Sequence, residues 1–135
     1  MVYVKRRETF SAAHRLYNPS YDDEKNLKIF GKCSNPNWHG HNYVLEVTVA
    51  GEPDAETGFV IDLKILKNII DENILTKVDH KNLNTETDFM KNIIPSAENI
   101  AKAIFNELKE KLPSGKLYSV KLFETEKNIV EYRGE

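Results

Sequence analysis

From His39 to Val49 the chain alternates with a period of two, and no other feature constrains its fold as tightly. His39, His41, Tyr43, Leu45, Val47 and Val49 fall on one side, and Asn42, Glu46 and Thr48 on the other. On a helix these residues would scatter around the axis, whereas on an extended strand they form two separate faces. A strand with one apolar face needs a sheet around it and a layer to cover it. Residues 2–14 alternate more loosely but contain no Pro or Gly, and they read as a second long strand. Tyr118, Val120, Leu122 and Glu124 share one face of a third strand, and residues 128–132 read as a fourth.

The covering layer is legible between these strands. Residues 51–57 form a turn, and Asp62 is an expected N-cap ahead of Leu63, Leu66, Ile69, Ile70 and Ile74 at helical spacing. A second helix opens at Ser96, behind Pro95, and buries Ile100, Ile104, Phe105, Leu108 and Leu112 until Pro113-Ser114-Gly115 ends it. The order ββααββ predicts an α+β domain spanning residues 1–135, with a four-stranded antiparallel sheet and two helices on one face. Residues 18–37, with Pro19, Asp22, Asp23, Gly31, Asn35 and Pro36, read as a long loop of the kind that carries function. The long open edges of such a sheet invite pairing with other copies of the chain, so a homo-oligomer is expected.

Composition excludes several alternatives. Net charge is −2 over 135 residues and the two signs alternate along the chain, so no nucleic-acid partner is expected. No apolar run approaches the length of a membrane span, and residues 1–8 lack the apolar stretch of a secretory signal. The single cysteine, Cys33, has no intramolecular partner for a disulfide, which suits a reducing compartment; the cytoplasm is the expectation.

The chain has 4 histidines, and the phase of three of them is informative. His39 and His41 flank Gly40 on a strand, so both imidazoles project to the same side and can meet one ion. His14 ends the first strand in phase with Phe10 and Ala12, on an inward face. Three neutral imidazoles with an open fourth position describe a catalytic zinc site. The alternative is a set of satisfied core or surface histidines. Cys33, six residues before His39, can close the site as a fourth ligand or stand beside it as a base or nucleophile. Spacing leaves both open.

Three further positions stand out. Asp79-His80 follows the first long helix, either as a carboxylate orienting an imidazole or as a histidine favoured by the helix dipole. Glu124 brings a carboxylate to an apolar sheet face, where it needs a partner with paired N–H donors, unless the strand ends first and water solvates it. Ser96, with Glu98, reads first as a helix cap. Arg15, Lys25, Lys28 and Lys32 gather around the long loop, where they can attract an anion or form a solvated surface.

Taken in order, Phe10-Ser11-Ala12-Ala13-His14-Arg15, Phe30-Gly31-Lys32-Cys33, His39-Gly40-His41-Asn42-Tyr43, Asp79-His80-Lys81-Asn82-Leu83, Ser96-Ala97-Glu98-Asn99, Glu124-Thr125 and Asn128-Ile129-Val130 resemble the 6-pyruvoyl-tetrahydropterin synthase family. That family includes the 6-carboxy-tetrahydropterin synthases of queuosine biosynthesis. The resemblance implies the tunnelling fold (T-fold), whose four-stranded subunits close into barrels and form a hexamer of two trimers. It implies Zn2+ on His14, His39 and His41, and Cys33 as the base, working with Asp79 and His80 supplied by a neighbouring subunit. Glu124 is implied to anchor the pterin through its N3–H and 2-amino group, with Ser96 close to the pterin pocket. The implied substrate is 7,8-dihydroneopterin triphosphate, a small pterin, and the implied product is 6-pyruvoyl-tetrahydropterin with loss of triphosphate. The carboxy branch would instead release acetaldehyde. Five residues separate Cys33 from His39, which resembles the pyruvoyl branch. A non-catalytic zinc- and pterin-binding protein would keep the metal without releasing triphosphate. The ordered set speaks against a related aldolase or cyclohydrolase.

Overall fold

The computed structural model describes residues 1–135 throughout. Two long strands form its spine. β1 (Val2–His14) and β2 (His39–Gly51) pair antiparallel along their whole length, from Val2 opposite Gly51 to His14 opposite His39. β4 (Lys116–Phe123) lies on the other side of β2, and β5 (Ile129–Tyr132) follows it antiparallel.

The sheet has five strands rather than the expected four, in the order β3-β1-β2-β4-β5. The addition, β3 (Lys81–Asn82), runs parallel to β1 at Ala12 and Ala13. It is too short to carry a periodic signal. The long loop also contains a helix, α1 (Asp23–Phe30), so the helical bodies number three rather than two. The Asp22 carboxylate accepts from the Lys25 N–H to open α1, and Gly31, at φ 59, closes it with a bond to Leu27 O. An Asp-rich stretch starts a helix as readily as a turn, because both use the carboxylate to take up a free backbone N–H.

The two expected helices cover one face of the sheet. α2 (Leu63–Ile70) begins at its Asp62 cap and continues through a wide π-turn at Asp71–Leu75 into α3 (Thr76–Val78). Leu66, Ile70, Ile74 and Val78 are all fully buried. At 3.6 residues per turn, a spacing of four drifts about 40° around the axis at each step. The wider turn takes up that drift and keeps the stripe facing the sheet. α4 (Ala97–Leu108) starts at Ser96 and buries Ile100, Ile104, Phe105 and Leu108, as expected, but it ends there, so Leu112 lies beyond the helix and packs only partly buried against the core. Below them lie Phe10, Ala12, Tyr43, Leu45, Val47, Val49, Val120 and Leu122, in one continuous core. Each fully buried Leu or Ile contributes roughly 1.5–3 kcal/mol.

One strand residue faces the other way from expectation. The β2–β4 register shifts between Thr48 and Val49, where Ser119 pairs with Thr48 but Leu117 pairs with Val49. Tyr118 is the extra residue. Leu117 takes the buried position, and Tyr118 packs edge-on against Tyr3 with ring centroids 4.8 Å apart. The opposite, helix-free face carries Lys5, Arg7, Glu46 and Thr48, joined by Arg7 to Glu46 at 2.9 Å and Lys5 to Thr48 at 3.1 Å. No helix is long and apolar enough to cross a membrane.

Candidate metal centre

The register of β1 and β2 builds the centre. Pairing places His14 directly across from His39, and Ala12 across from His41. Gly40 lies between the two β2 histidines, where an added Cβ would sit 3.2 Å from the Ala12 carbonyl oxygen; glycine removes that crowding. The three rings stand nearly edge to face, with centroids 4.5 Å apart for His14 and His39, 5.0 Å for His14 and His41, and 5.1 Å for His39 and His41.

Their nitrogens are the informative atoms. His14 Nε2, His39 Nδ1 and His41 Nε2 are buried without any hydrogen-bond partner. One donor atom from each histidine falls in a group within 4.8 Å of the others. Three orphaned buried nitrogens converging on one point would be costly unless something occupies it. A cation that takes imidazole nitrogen fits that requirement.

The protonation states agree. His14 Nδ1 lies 2.8 Å from the Pro95 carbonyl oxygen. A carbonyl only accepts, so Nδ1 carries the proton and Nε2 keeps its lone pair. Burial pushes the His14 pKa down to about 4, against the opposing pull of the Pro95 hydrogen bond, and His39 and His41 lower it further. The His39 pKa is lowered as well, first by burial and then by the neighbouring His41 ring, while Glu124 acts in the other direction. Both rings are held towards the neutral form that a metal ligand needs.

Glu124 belongs to this neighbourhood. It follows β4, its N–H bonds to Asn128 O at 3.0 Å, and its carboxylate reaches within 4.0 Å of His14 Nε2. The inward carboxylate read from the strand phase is therefore present beside the histidines. Tyr43, fully buried on the same face, brings its hydroxyl within 3.4 Å of His14 Nδ1. Burial, followed by the Glu124 charge, raises its pKa and keeps the phenol protonated.

The other expected residues sit further out. Cys33 is half-buried on the turn Gly31–Ser34 and is not a member of the three-nitrogen group. Ser96 uses its hydroxyl to accept the Asn99 N–H at 3.2 Å, as the cap of α4. Sequence reasoning missed the carbonyl of Pro95 next to it, a backbone group with no side-chain signature. Asp79 and His80 do not join the histidines of their own chain. His80 is 83% exposed, at φ 59, with Nδ1 3.1 Å from Asp79 Oδ1. It lines a depression with Ser11, Asn42 and Asn82 at the β3 edge of the sheet. Asp79 is fixed by the Ser11 N–H at 2.9 Å, which is the main reason its carboxyl lies below the usual range; His80 adds to it.

Comparison with known proteins follows the same lines. The family model described as 6-pyruvoyl tetrahydropterin synthase matches residues 3–135. A 6-pyruvoyl tetrahydrobiopterin synthase of Pongo abelii is 52% identical over 132 residues, covering 98% of this chain and 91% of that protein. The structure of the Caenorhabditis elegans 6-pyruvoyl tetrahydropterin synthase superimposes with a TM-score of 0.93 at 42% identity, covering 99% of this chain and 96% of that one. A 6-carboxy-5,6,7,8-tetrahydropterin synthase of Rickettsia typhi is 33% identical, covering 97% of this chain and 99% of that protein.

Proposed function

The chain belongs to the 6-pyruvoyl tetrahydropterin synthase family, and on that premise we propose that it is a zinc-dependent enzyme that converts 7,8-dihydroneopterin triphosphate to 6-pyruvoyl-tetrahydropterin with release of triphosphate. The observation that carries this reading is the convergence of three unpartnered buried imidazole nitrogens beside the Glu124 carboxylate.

In this reading His14, His39 and His41 hold the ion. A zinc ion held there would supply Lewis acidity to the hydroxyls of the substrate side chain, which would make the neighbouring carbon-bound proton easier to remove. Glu124 accepts hydrogen bonds from the pterin N3–H and 2-amino group, the paired donors that a carboxylate takes best. Cys33, as thiolate, removes the proton next to the ring. His80, oriented by Asp79, handles proton return. Because this pair is not part of the three-nitrogen group of its own chain, a second copy would present it, in a homo-oligomer, with the trimer pair of the family as the expected form. Triphosphate leaves as an anion. Two side-chain hydroxyl carbons become carbonyls and give up four electrons; two reduce the dihydropterin ring and two go to the terminal carbon, which loses triphosphate and becomes a methyl group, so no external oxidant is required.

The pyruvoyl branch is favoured by identity. The Pongo abelii relative bearing that name matches at 52%, against 33% for the carboxy-named relative from Rickettsia typhi. Mass spectrometry of the products, after zinc-loaded protein meets 7,8-dihydroneopterin triphosphate, tests the proposal. A 6-pyruvoyl product with free triphosphate is expected. A 6-carboxy product with acetaldehyde would move the chain to the other branch and to queuosine synthesis. Unchanged substrate, with metal bound and fold intact, would leave a non-catalytic pterin-binding protein.

A further inference from the structure

The segment that carries Cys33 has little of its own to hold it. It joins β1 to β2 through α1, a helix that leaves Leu27 and Ile29 exposed and buries only Asn26. Its attachment to the rest of the molecule runs through the residues that follow His14. The Leu16 N–H donates to the Cys33 carbonyl oxygen at 2.8 Å, and the Arg15 Nε–H donates to the Ser34 carbonyl oxygen at 2.7 Å. One such bond would leave the turn free to swivel. Two bonds, from consecutive residues to consecutive carbonyls, fix its orientation.

The anchor is itself anchored. Asn84 grips the main chain of Arg15 from both sides, with Oδ1 accepting its N–H and Nδ2 donating to its carbonyl, each at 2.9 Å. The Leu83 N–H donates to Ala13 O at 2.8 Å, so the chain after β3 runs along the exit of β1. The Arg15 guanidinium lies 4.1 Å above the Tyr17 ring, one of its terminal nitrogens is 4.0 Å from Asp23, and the side chain is 16% exposed. Lys25, Lys28 and Lys32 of the same segment are exposed.

We propose that Arg15 is a positioning residue: with Asn84, it fixes the turn bearing Cys33 at a set place beside the metal ligand His14, and it does not bind the substrate's phosphates. Arginine suits this task because Nε–H, the flat face and the terminal nitrogens each engage a different partner; lysine carries the charge without that fork. The inference rests on the reading of Cys33 as the base.

Cys33 is the chain's single cysteine, so its alkylation by iodoacetamide reads its environment without ambiguity. The test uses zinc-loaded wild type, Arg15→Lys and Asn84→Ala, with zinc content, the pH profile of alkylation, kcat and KM. Both variants should keep their zinc. Their alkylation profile should shift, and kcat should fall by about 10²-fold, the cost of misplacing a reacting group by an ångström. KM should stay within about threefold, because substrate binding is untouched. An unchanged alkylation profile with unchanged kcat and a raised KM in Arg15→Lys would overturn the proposal and make Arg15 a phosphate ligand. Should a variant not fold, the wild type still decides. Its Arg15 Nε–H resonance should exchange slowly with water and stay unmoved on adding tripolyphosphate; fast exchange, or a shift with that anion, contradicts the assignment. The alkylation profile also stands if wild type shows no turnover, an outcome that would count against the synthase reading alone.

Discussion

A histidine that serves a metal has to be neutral and has to aim one chosen nitrogen at it, and His14 meets both demands through its surroundings. The Pro95 carbonyl takes the Nδ1 proton, and burial holds the pKa at about 4, so Nε2 presents a lone pair across the neutral range. The aim of the rings was legible in the sequence because side-chain direction on a strand follows a simple alternation. The carbonyl that fixes the tautomer was not, since a backbone oxygen leaves no trace in residue type. Ser96 shows the same limit from the other side. Its hydroxyl accepts the Asn99 N–H as the cap of α4, while the residue before it serves the site. Ser96→Ala should therefore lower stability by about 1 kcal/mol, the usual cost of a lost N-cap, and leave zinc content unchanged. Urea denaturation and metal analysis of the variant check this. Unaltered stability with impaired pterin binding would instead make the hydroxyl a ligand contact.

The elements that could be read were those with a buried stripe. β2, α2 and α4 each repeat apolar residues at the period of their structure, and all three form as expected. α1 has no such stripe, because Leu27 and Ile29 point to the outside, and its Asp22 cap looks like turn chemistry. β3 spans two residues, below any period. The face of Tyr118 was misread because the register shift opposite Thr48 and Val49 inverts the phase of β4 behind it. Pairing of β1 with β2 also makes an electrostatic prediction on the helix-free face. Glu46 lies below the usual carboxylate range, chiefly through its hydrogen bond to Arg7 and also through Lys5, against a smaller opposing effect of burial. A carboxyl whose folded pKa is depressed binds fewer protons folded than unfolded, so its stabilisation is present above the ordinary carboxylate pKa. That stabilisation is lost as pH falls from about 4.3, the unperturbed glutamate value. Glu46→Gln should thus have a lower Tm than wild type at pH 7, with the gap narrowing below pH of about 4. A gap that is constant with pH would remove the charge pairing from the account of this face.

At the scale of the whole molecule, the candidate centre is an assembly of distant segments. The end of β1, the start of β2, Pro95 ahead of the α4 cap and the turn after β4 meet at one point. A sheet that places β1 and β4 on either side of β2 makes that meeting possible. The ordered motifs carried the family, and the superposition on the Caenorhabditis elegans synthase agrees over nearly the full chain. Asp79 and His80 lie outside the three-nitrogen group of their own chain, a placement that their spacing along the sequence did not indicate.

In the proposed chemistry the metal site is open: three imidazoles would hold zinc, and the one thiol would remain free to act as a base. X-ray absorption spectroscopy of the zinc-loaded protein tests this most directly. A first shell of nitrogen and oxygen alone at about 2.0–2.1 Å is the expected result, with three imidazole signatures. A zinc–sulfur distance of about 2.3 Å would contradict it. It would make Cys33 a fourth ligand, close the site and leave the proposed chemistry without its base.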